Sequence, residues 1–141
     1  MLQTVSNILK HLEVKDIDKS IEFYEALANL FYAVSMSDGQ ITREEKLKII
    51  EFVKKYWTVT IDNENSQEFI YQTLKELIKN KSKPESAFLV FKDFYLNNKK
   101  GFHQDLLTRI LIASNAIASS FGKKNKSELI VLNNLMLLFK S

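Results

Sequence analysis

The segment from Asp38 to Glu45 contains residue types that could bind a metal ion. When it is aligned with an EF-hand calcium loop, Asp38, Gly39 and Glu45 fall at positions 5, 6 and 12 of that loop. Positions 1 and 3 are Val34 and Met36, which have no side-chain oxygen, so the segment cannot form a complete calcium cage. Asp38 and Glu45 therefore predict at most a weak site for a divalent cation.

A purely structural role accounts for the same residues. Gly39 can adopt the positive φ angle that ends a helix, and Thr42 and Glu45 have the spacing of a capping box. In such a box each side chain accepts a hydrogen bond from the other residue's backbone amide, which stabilises the helix by about 1 kcal/mol. We predict that Gly39 is a turn residue and that Thr42 and Glu45 begin a helix. Cation binding by Asp38 and Glu45 is the alternative.

The spacing of apolar residues predicts the elements that position this segment. They recur every three or four positions, and the chain has only 3 Gly and 1 Pro, so helices are expected throughout. No polar linker divides residues 1–141, which indicates one all-α domain of about seven helices. The expected helix starts are Asp16 or Asp18, Thr42, Asn65 or Ser66, Pro84 and Asn125.

Three further structural expectations follow from the pattern. The long apolar helices that end near Ser37 and Ser120 are expected to be buried at the centre of the domain. The β-branched residues 57–61 have no second strand to pair with, so they are expected to form an extended loop. The last helix is expected to pack Leu129, Leu132, Leu135, Met136 and Phe139 against the core.

A weak internal repeat relates the two ends of the chain. A shift of 83 positions aligns Gly39 with Gly122, Thr42 with Asn125 and Glu45 with Glu128. Each copy would comprise a core helix, a glycine turn and a capped amphipathic helix. We therefore predict two similar helix-turn-helix units, with Gly122 as the second turn residue and Asn125 as the second cap.

Residues 30–45 resemble the TerB-like family, whose pattern is a small-residue apolar helix, an Asp-Gly turn, an aliphatic residue and a glutamate. The second copy, residues 117–128, departs from that pattern because Phe121 replaces the acid and Lys124 the aliphatic residue. The resemblance implies an all-helical domain, related to tellurite-resistance proteins and to domains of DnaJ-type co-chaperones. It also implies a role as a stress-linked scaffold or interaction module.

The resemblance further implies where a metal ion would bind. If the two motifs approach each other, Asp38, Glu45 and Glu128 are the acidic residues of a joint site. Three lysines, Lys123, Lys124 and Lys126, would lie beside it and repel a cation. We therefore expect no cofactor and at most weak binding of a divalent cation.

Composition excludes several classes of enzyme. The chain has no cysteine, which excludes thiol catalysis and Cys-ligated zinc or iron–sulfur centres. Its two histidines, His11 and His103, have no partner at zinc-ligand spacing and belong to no catalytic triad pattern. The sequence thus predicts a protein without catalytic residues, and both histidines are expected at the surface or at helix ends.

Charge is distributed unevenly along the chain. Residues 1–70 contain 8 basic and 12 acidic side chains, whereas residues 71–141 contain 12 and 5. The lysine groups 79/81/83 and 123/124/126 fall in predicted turns and would share one end of the domain if consecutive helices are antiparallel. A basic end could bind nucleic acid, although only Arg43 and Arg109 offer the guanidinium groups that recognise phosphate and guanine best.

The sequence predicts a cytoplasmic protein, because it contains no long apolar run and Met1 to Lys15 lack the pattern of a signal peptide. The function it favours is a non-enzymatic TerB-like module that binds a protein partner. The alternative is a helical nucleic-acid-binding protein that uses the basic C-terminal half.

Overall fold

The computed structural model describes residues 17–37, 41–57, 60–61, 64–119 and 126–141. Within these ranges the chain is helical apart from one small hairpin, so the predicted all-α class is confirmed. The apolar spacing of Leu2, Val5, Ile8, Leu9 and Leu12 predicts a first short helix, which lies outside the described residues. The helices are α1 (Ile21–Ser35), α2 (Arg43–Tyr56), α3 (Ser66–Lys79), α4 (Pro84–Asn97), α5 (Gln104–Ser119) and α6 (Lys126–Lys140), with 3₁₀ turns at Ile17–Lys19 and Lys99–Gly101.

Helix α1 is the centre of the domain. From Phe23 to Ser35 every residue except Glu25 is buried. The helix packs against α3, α4, α5 and α6. A helix that is apolar nearly all round can be accommodated only where neighbours cover it on several sides, and this confirms the prediction for the helix ending near Ser37.

Helix α5 is buried on one face only. Leu106, Ile110 and Ala113 are fully buried, whereas Ile112 is 48% exposed. The expectation that this helix is central is therefore wrong. Its buried face packs against α1, α2 and α6, and no described element covers the opposite face. The similarity of the two helix-turn-helix units stays a prediction.

Helix α1 begins at a different cap from the one expected. The Ser20 hydroxyl accepts a hydrogen bond from the Phe23 amide at 3.2 Å. Asp18 is not the cap; its carbonyl oxygen accepts the Tyr24 hydroxyl at 2.6 Å, and its carboxylate faces Arg109. The other candidate, Asp16, lies outside the described residues.

Two of the remaining helix starts are confirmed. Asn65 caps α3, its side-chain oxygen accepting from the Glu68 amide at 3.1 Å. Pro84 is the first residue of α4, where its missing amide proton costs no hydrogen bond. Helix α6 begins at Lys126, and its predicted cap, Asn125, lies outside the described residues.

A hairpin of two short strands connects α2 to α3. Strand β1 (Thr60–Ile61) pairs antiparallel with strand β2 (Glu64–Asn65). The expectation that residues 57–61 have no partner strand is therefore wrong. The second strand consists of two polar residues, which sequence patterning does not mark because strand propensity rests on β-branched and aromatic side chains.

The turn between α3 and α4 is held against the central helix. Lys81 has a φ of 51°, a conformation more usual for glycine, and the Ser82 amide donates to the Leu77 carbonyl oxygen at 3.0 Å. The Tyr32 hydroxyl of α1 donates to the Ser82 carbonyl oxygen at 2.6 Å. This contact fixes the position at which α4 begins.

Arg109 joins elements at the opposite end of α1. Its guanidinium donates to the Tyr56 carbonyl oxygen at 3.5 Å and lies 6.0 Å from the centre of the Trp57 ring. It also lies 4.0 Å from a carboxylate oxygen of Asp18. One side chain of α5 therefore contacts both the end of α2 and the turn that precedes α1.

Candidate functional site

The predicted capping box is present at the start of α2. The Thr42 hydroxyl accepts from the Glu45 amide, and a Glu45 carboxylate oxygen accepts from the Thr42 amide, both at 3.1 Å. Both hydrogen bonds are local and exposed. One of the Glu45 carboxylate oxygens is thus already engaged in beginning a helix, which makes it a poorer ligand for a cation.

Replacing Thr42 by alanine is expected to lower the free energy of unfolding by about 1 kcal/mol, because the Glu45 amide loses its acceptor. Urea unfolding of the wild-type protein and of the variant measures the difference. Thr42→Ser keeps the hydroxyl and is expected to stay close to the wild-type value. Equal stability of Thr42→Ala and wild type would contradict a contribution from the capping box.

The predicted metal site lies only partly within the described residues. Asp38, Gly39, Gly122 and Asn125 lie outside the described residues, and Glu128 is a half-buried residue in the first turn of α6. In the part of the chain that is described, no three His, Cys, Asp or Glu side chains are grouped so that they could hold a metal ion. Cation binding at the Asp-Gly turn stays a prediction.

Divalent cations are expected to bind with a dissociation constant no tighter than about 0.1 mM, the weak end of the EF-hand range. Asp38 and Glu45 supply few oxygens, and the hydrogen bond from Thr42 competes for one of them. Calorimetric titration with calcium, magnesium and zinc tests this expectation. Micromolar binding that Asp38→Asn abolishes would show instead that the Asp-Gly turn is a genuine metal site.

A groove of about 400 Å³ lies between α4 and α6, beside the end of α1. We call it the α4–α6 groove. Phe88 and Val131 line it and are half-buried against the core, whereas Leu89 and Ile130 line it and are 53% and 52% exposed. A concave, mainly apolar surface of this size is typical of binding sites.

The two helices that form the α4–α6 groove run in the same direction. Residues of the first turns of both, Pro84 and Ser127, line the groove. Towards their other ends the helices meet, since the Phe139 ring lies 6.1 Å from Phe91 and 5.2 Å from Tyr95. The helices are therefore in contact near their C-termini and leave the groove open between their N-terminal halves.

One lysine of each of two groups is adjacent in sequence to a residue that lines the α4–α6 groove. Lys83 precedes Pro84, and Lys126 precedes Ser127; both lysines are exposed. These two lysines therefore lie at the N-terminal ends of α4 and α6, and a basic end shared by the two lysine groups stays a prediction. The other members of the second group, Lys123 and Lys124, lie outside the described residues.

Sequence reasoning did not find this groove, and it also assigned too many apolar residues of α6 to the core. Leu129 and Met136 were expected to be packed, but they are 51% and 44% exposed. The buried face consists of Leu132, Leu135 and Leu138. The sequence did contain a signal for exposed apolar residues, because α6 has more apolar residues than one buried face requires.

Comparisons with known proteins do not assign this chain to a family. No protein-family model, no curated protein and no solved structure matches it. In the described ranges, no helix combines the length and the apolar character needed to cross a lipid bilayer. His103 is exposed and directly precedes α5, as expected for a histidine at a helix end, and His11 lies outside the described residues.

Proposed function

We propose that this protein is a non-enzymatic interaction module that binds an amphipathic helical segment of a partner protein in the α4–α6 groove. The observation that carries the proposal is the exposure of Leu89 and Ile130 in a groove that Phe88 and Val131 also line. Single exposed apolar side chains are common on protein surfaces, but several that line one concave surface indicate a binding site.

The apolar surface continues along both helices. Leu96, seven residues after Leu89 on α4, is 45% exposed, and Leu137, seven residues after Ile130 on α6, is 57% exposed. Because seven residues correspond to about two helical turns, each pair lies on one side of its helix. A partner helix with apolar residues at the same spacing could contact both pairs.

Charge favours a partner segment with acidic residues at one end. Lys83 and Lys126 are exposed and directly precede residues that line the α4–α6 groove. The N-termini of α4 and α6 lie there too, and the helix dipole makes each of them partly positive. Glu85 also lines the groove and offsets one of these charges. The remaining positive charge would attract carboxylates and orient the bound helix.

The resemblance of residues 30–45 to TerB-like domains supports the same class of function. We extend the proposal to a TerB-like scaffold that acts in the cytoplasm during stress such as tellurite exposure. No catalytic step is included, because the chain has no cysteine and only 2 histidines, neither of them in a nucleophile–base pattern.

The proposal is tested by comparing the wild-type protein with the double variant Leu89→Glu/Ile130→Glu. Each protein is used as bait in a cell lysate, and the contact segment of a captured protein is mapped by cross-linking. That segment is then synthesised and titrated by fluorescence anisotropy. We expect binding to the double variant to be at least tenfold weaker, because two carboxylates would have to be buried against apolar side chains.

Leu47→Glu is the matched control, since Leu47 is 60% exposed and lies on α2, outside the α4–α6 groove. This variant is expected to bind the segment as wild type does. Circular dichroism of all variants verifies that the helices are intact. The same captured proteins and the same affinity for wild type and double variant would contradict the proposal.

Nucleic-acid binding is the second candidate, because the exposed Lys83 and Lys126 directly precede the two residues, Pro84 and Ser127, that line one groove. It is tested by titrating duplex DNA and single-stranded RNA at several salt concentrations. Binding that weakens steeply with salt, and that Lys83→Glu/Lys126→Glu removes while Leu89→Glu/Ile130→Glu does not, would favour this function. If the protein is an interaction module instead, we expect no salt-dependent binding of DNA or RNA and no effect of Lys83→Glu/Lys126→Glu on such binding.

A further inference from the structure

The side of α6 that faces solvent is largely apolar. Leu129, Ile130, Met136 and Leu137 are 51%, 52%, 44% and 57% exposed. Leu129 and Met136 are seven residues apart, about two helical turns, so they lie on one line along the helix. That line and its polar members form a surface that we call the outer face of α6: Leu129, Asn133, Met136 and Lys140. Neither Leu129 nor Met136 lines the α4–α6 groove, so the outer face is separate from the groove.

Lysines lie at both ends of the outer face. Lys126 comes one turn before its apolar residues and Lys140 one turn after them; both lysines are exposed and about 21 Å apart along the helix axis. No salt bridge in the described ranges involves either of them. The Lys99 Nζ donates to the main-chain oxygen of Ser141 at 2.7 Å, which places a third lysine at the C-terminal end of α6. The apolar part of the outer face therefore lies between positive charges.

Within α6, which the structure describes throughout, every exposed charge is positive. Its one acidic residue, Glu128, is half-buried. Glu128 precedes the buried residues Leu132 and Leu135 by four and seven positions, so it lies on the inner side of the helix. No carboxylate of α6 therefore offsets Lys126 and Lys140 on the outer side. A surface that combines exposed apolar side chains with lysines and lacks acidic ones is complementary to a negatively charged bilayer surface.

We propose that the outer face of α6 docks reversibly on a membrane surface that contains anionic phospholipids. Leu129 and Met136 would enter the boundary between headgroups and acyl chains. The ammonium groups of Lys126 and Lys140 would pair with lipid phosphates and carboxylates, while their stems lie along the apolar side chains. Docking of this kind uses one face of a folded helix and needs no helix that spans the bilayer.

A bilayer fits these features better than a protein or a nucleic acid does. A protein partner would need an apolar strip with acidic residues about 21 Å apart at its two ends. An anionic bilayer instead presents negative charge everywhere above an apolar interior. A nucleic acid would pair with the lysines but would leave Leu129 and Met136 against phosphates and water. The inference goes beyond the proposed function, which concerns the α4–α6 groove.

Co-sedimentation of the whole chain with lipid vesicles tests the proposal. One set of vesicles contains phosphatidylcholine with about 30% phosphatidylserine, and the other contains phosphatidylcholine alone. We expect at least tenfold stronger partitioning onto the anionic vesicles, weakening as salt is added. Leu129→Glu/Met136→Glu is expected to bind the anionic vesicles at least tenfold more weakly, because carboxylates replace the apolar groups that would enter the bilayer. Lys126→Gln/Lys140→Gln is expected to show a loss of similar size.

Two matched controls change the same number of charges elsewhere. Leu47→Glu/Tyr71→Glu adds two carboxylates at positions that are 60% and 45% exposed on α2 and α3. Lys75→Gln/Lys79→Gln removes two exposed lysines from α3. Both controls are expected to bind the anionic vesicles as wild type does, and circular dichroism verifies that every variant is folded. Equal weakening in the controls and in the outer-face variants would overturn the proposal, because binding would then reflect net charge.

A fluorescent probe shows which side of the protein meets the lipid. The chain has no cysteine, so Leu129→Cys and Leu47→Cys each provide one site for an environment-sensitive dye. Anionic vesicles are expected to raise the emission of the dye at residue 129 at least twofold and to leave the dye at residue 47 unchanged. No response at residue 129, or equal binding to anionic and neutral vesicles, would overturn the proposal. A larger response to polyglutamate than to the anionic vesicles would also overturn it, in favour of an acidic protein partner.

Discussion

Replacing Phe23 by alanine is expected to lower the free energy of unfolding by about 3 to 5 kcal/mol. Phe23 is fully buried in α1, and the centre of its ring lies 5.0 Å from that of Tyr24, 6.0 Å from Phe102 and 6.4 Å from Trp57. Removing the ring loses its transfer free energy and leaves a cavity among aromatic side chains that cannot easily close. Since domains of this kind have only about 5 to 15 kcal/mol of stability, the loss would be a large fraction of the total.

Urea unfolding followed by circular dichroism measures this effect. Phe23→Leu keeps most of the apolar volume and is expected to lose less stability than Phe23→Ala. Leu96→Ala is the control for an apolar residue that is 45% exposed, and it is expected to change stability by less than about 0.5 kcal/mol. A similar loss in Phe23→Ala and Leu96→Ala would contradict the central position of α1.

The protein is expected to lose stability as the pH rises above about 10, and Tyr24→Phe is expected to lose less. Burial, with a smaller contribution from the negative charge of Asp18, raises the pKa of Tyr24 well above its usual value, although Arg109 partly opposes the shift. Burial also raises the pKa of Tyr32 and of Tyr95. In the unfolded chain these phenols ionise near pH 10, whereas in the folded chain they keep their protons to higher pH.

The folded and unfolded states bind different numbers of protons at high pH, and this difference determines whether stability rises or falls with pH. Above pH 10 the folded protein binds more protons than the unfolded chain, so raising the pH favours unfolding, and Tyr24 contributes up to about 1.4 kcal/mol per pH unit. Below pH 10 both states are protonated at Tyr24 and the contribution is constant. Tyr24→Phe removes one of these groups, so its stability should fall less steeply with pH.

Urea unfolding at several pH values between 8 and 11.5 measures how the free energy of unfolding changes with pH in the wild-type protein and in Tyr24→Phe. At pH 8 the variant is expected to be less stable by about 1 kcal/mol, because the Asp18 carbonyl oxygen loses the 2.6 Å hydrogen bond from the hydroxyl. Tyr71→Phe is the control, since Tyr71 is 45% exposed, and it should follow the wild-type profile. Identical slopes for Tyr24→Phe and wild type would contradict the role of Tyr24.

Local features of this protein are determined by the sequence itself. The capping box of Thr42 and Glu45, the cap Asn65 and the helix start at Pro84 were predictable because each depends on contacts within about four residues. The all-α class was predictable for the same reason, since apolar periodicity is a property of each segment. The nearly complete burial of α1 followed from its apolar circumference.

Tertiary structure alone decides which apolar residues are left exposed and which charges meet. Ser20 rather than Asp18 caps α1 because Asp18 lies in the 3₁₀ turn Ile17–Lys19, and its carboxylate faces Arg109, which is far away in sequence. Leu129 is exposed although it fits the helical pattern, because α6 has more apolar residues than its neighbours can cover. Lys83 and Lys126 directly precede residues of one groove because α4 and α6 run in parallel. The α4–α6 groove likewise depends on the angles and distances between helices, which contacts between distant residues set and local sequence does not encode.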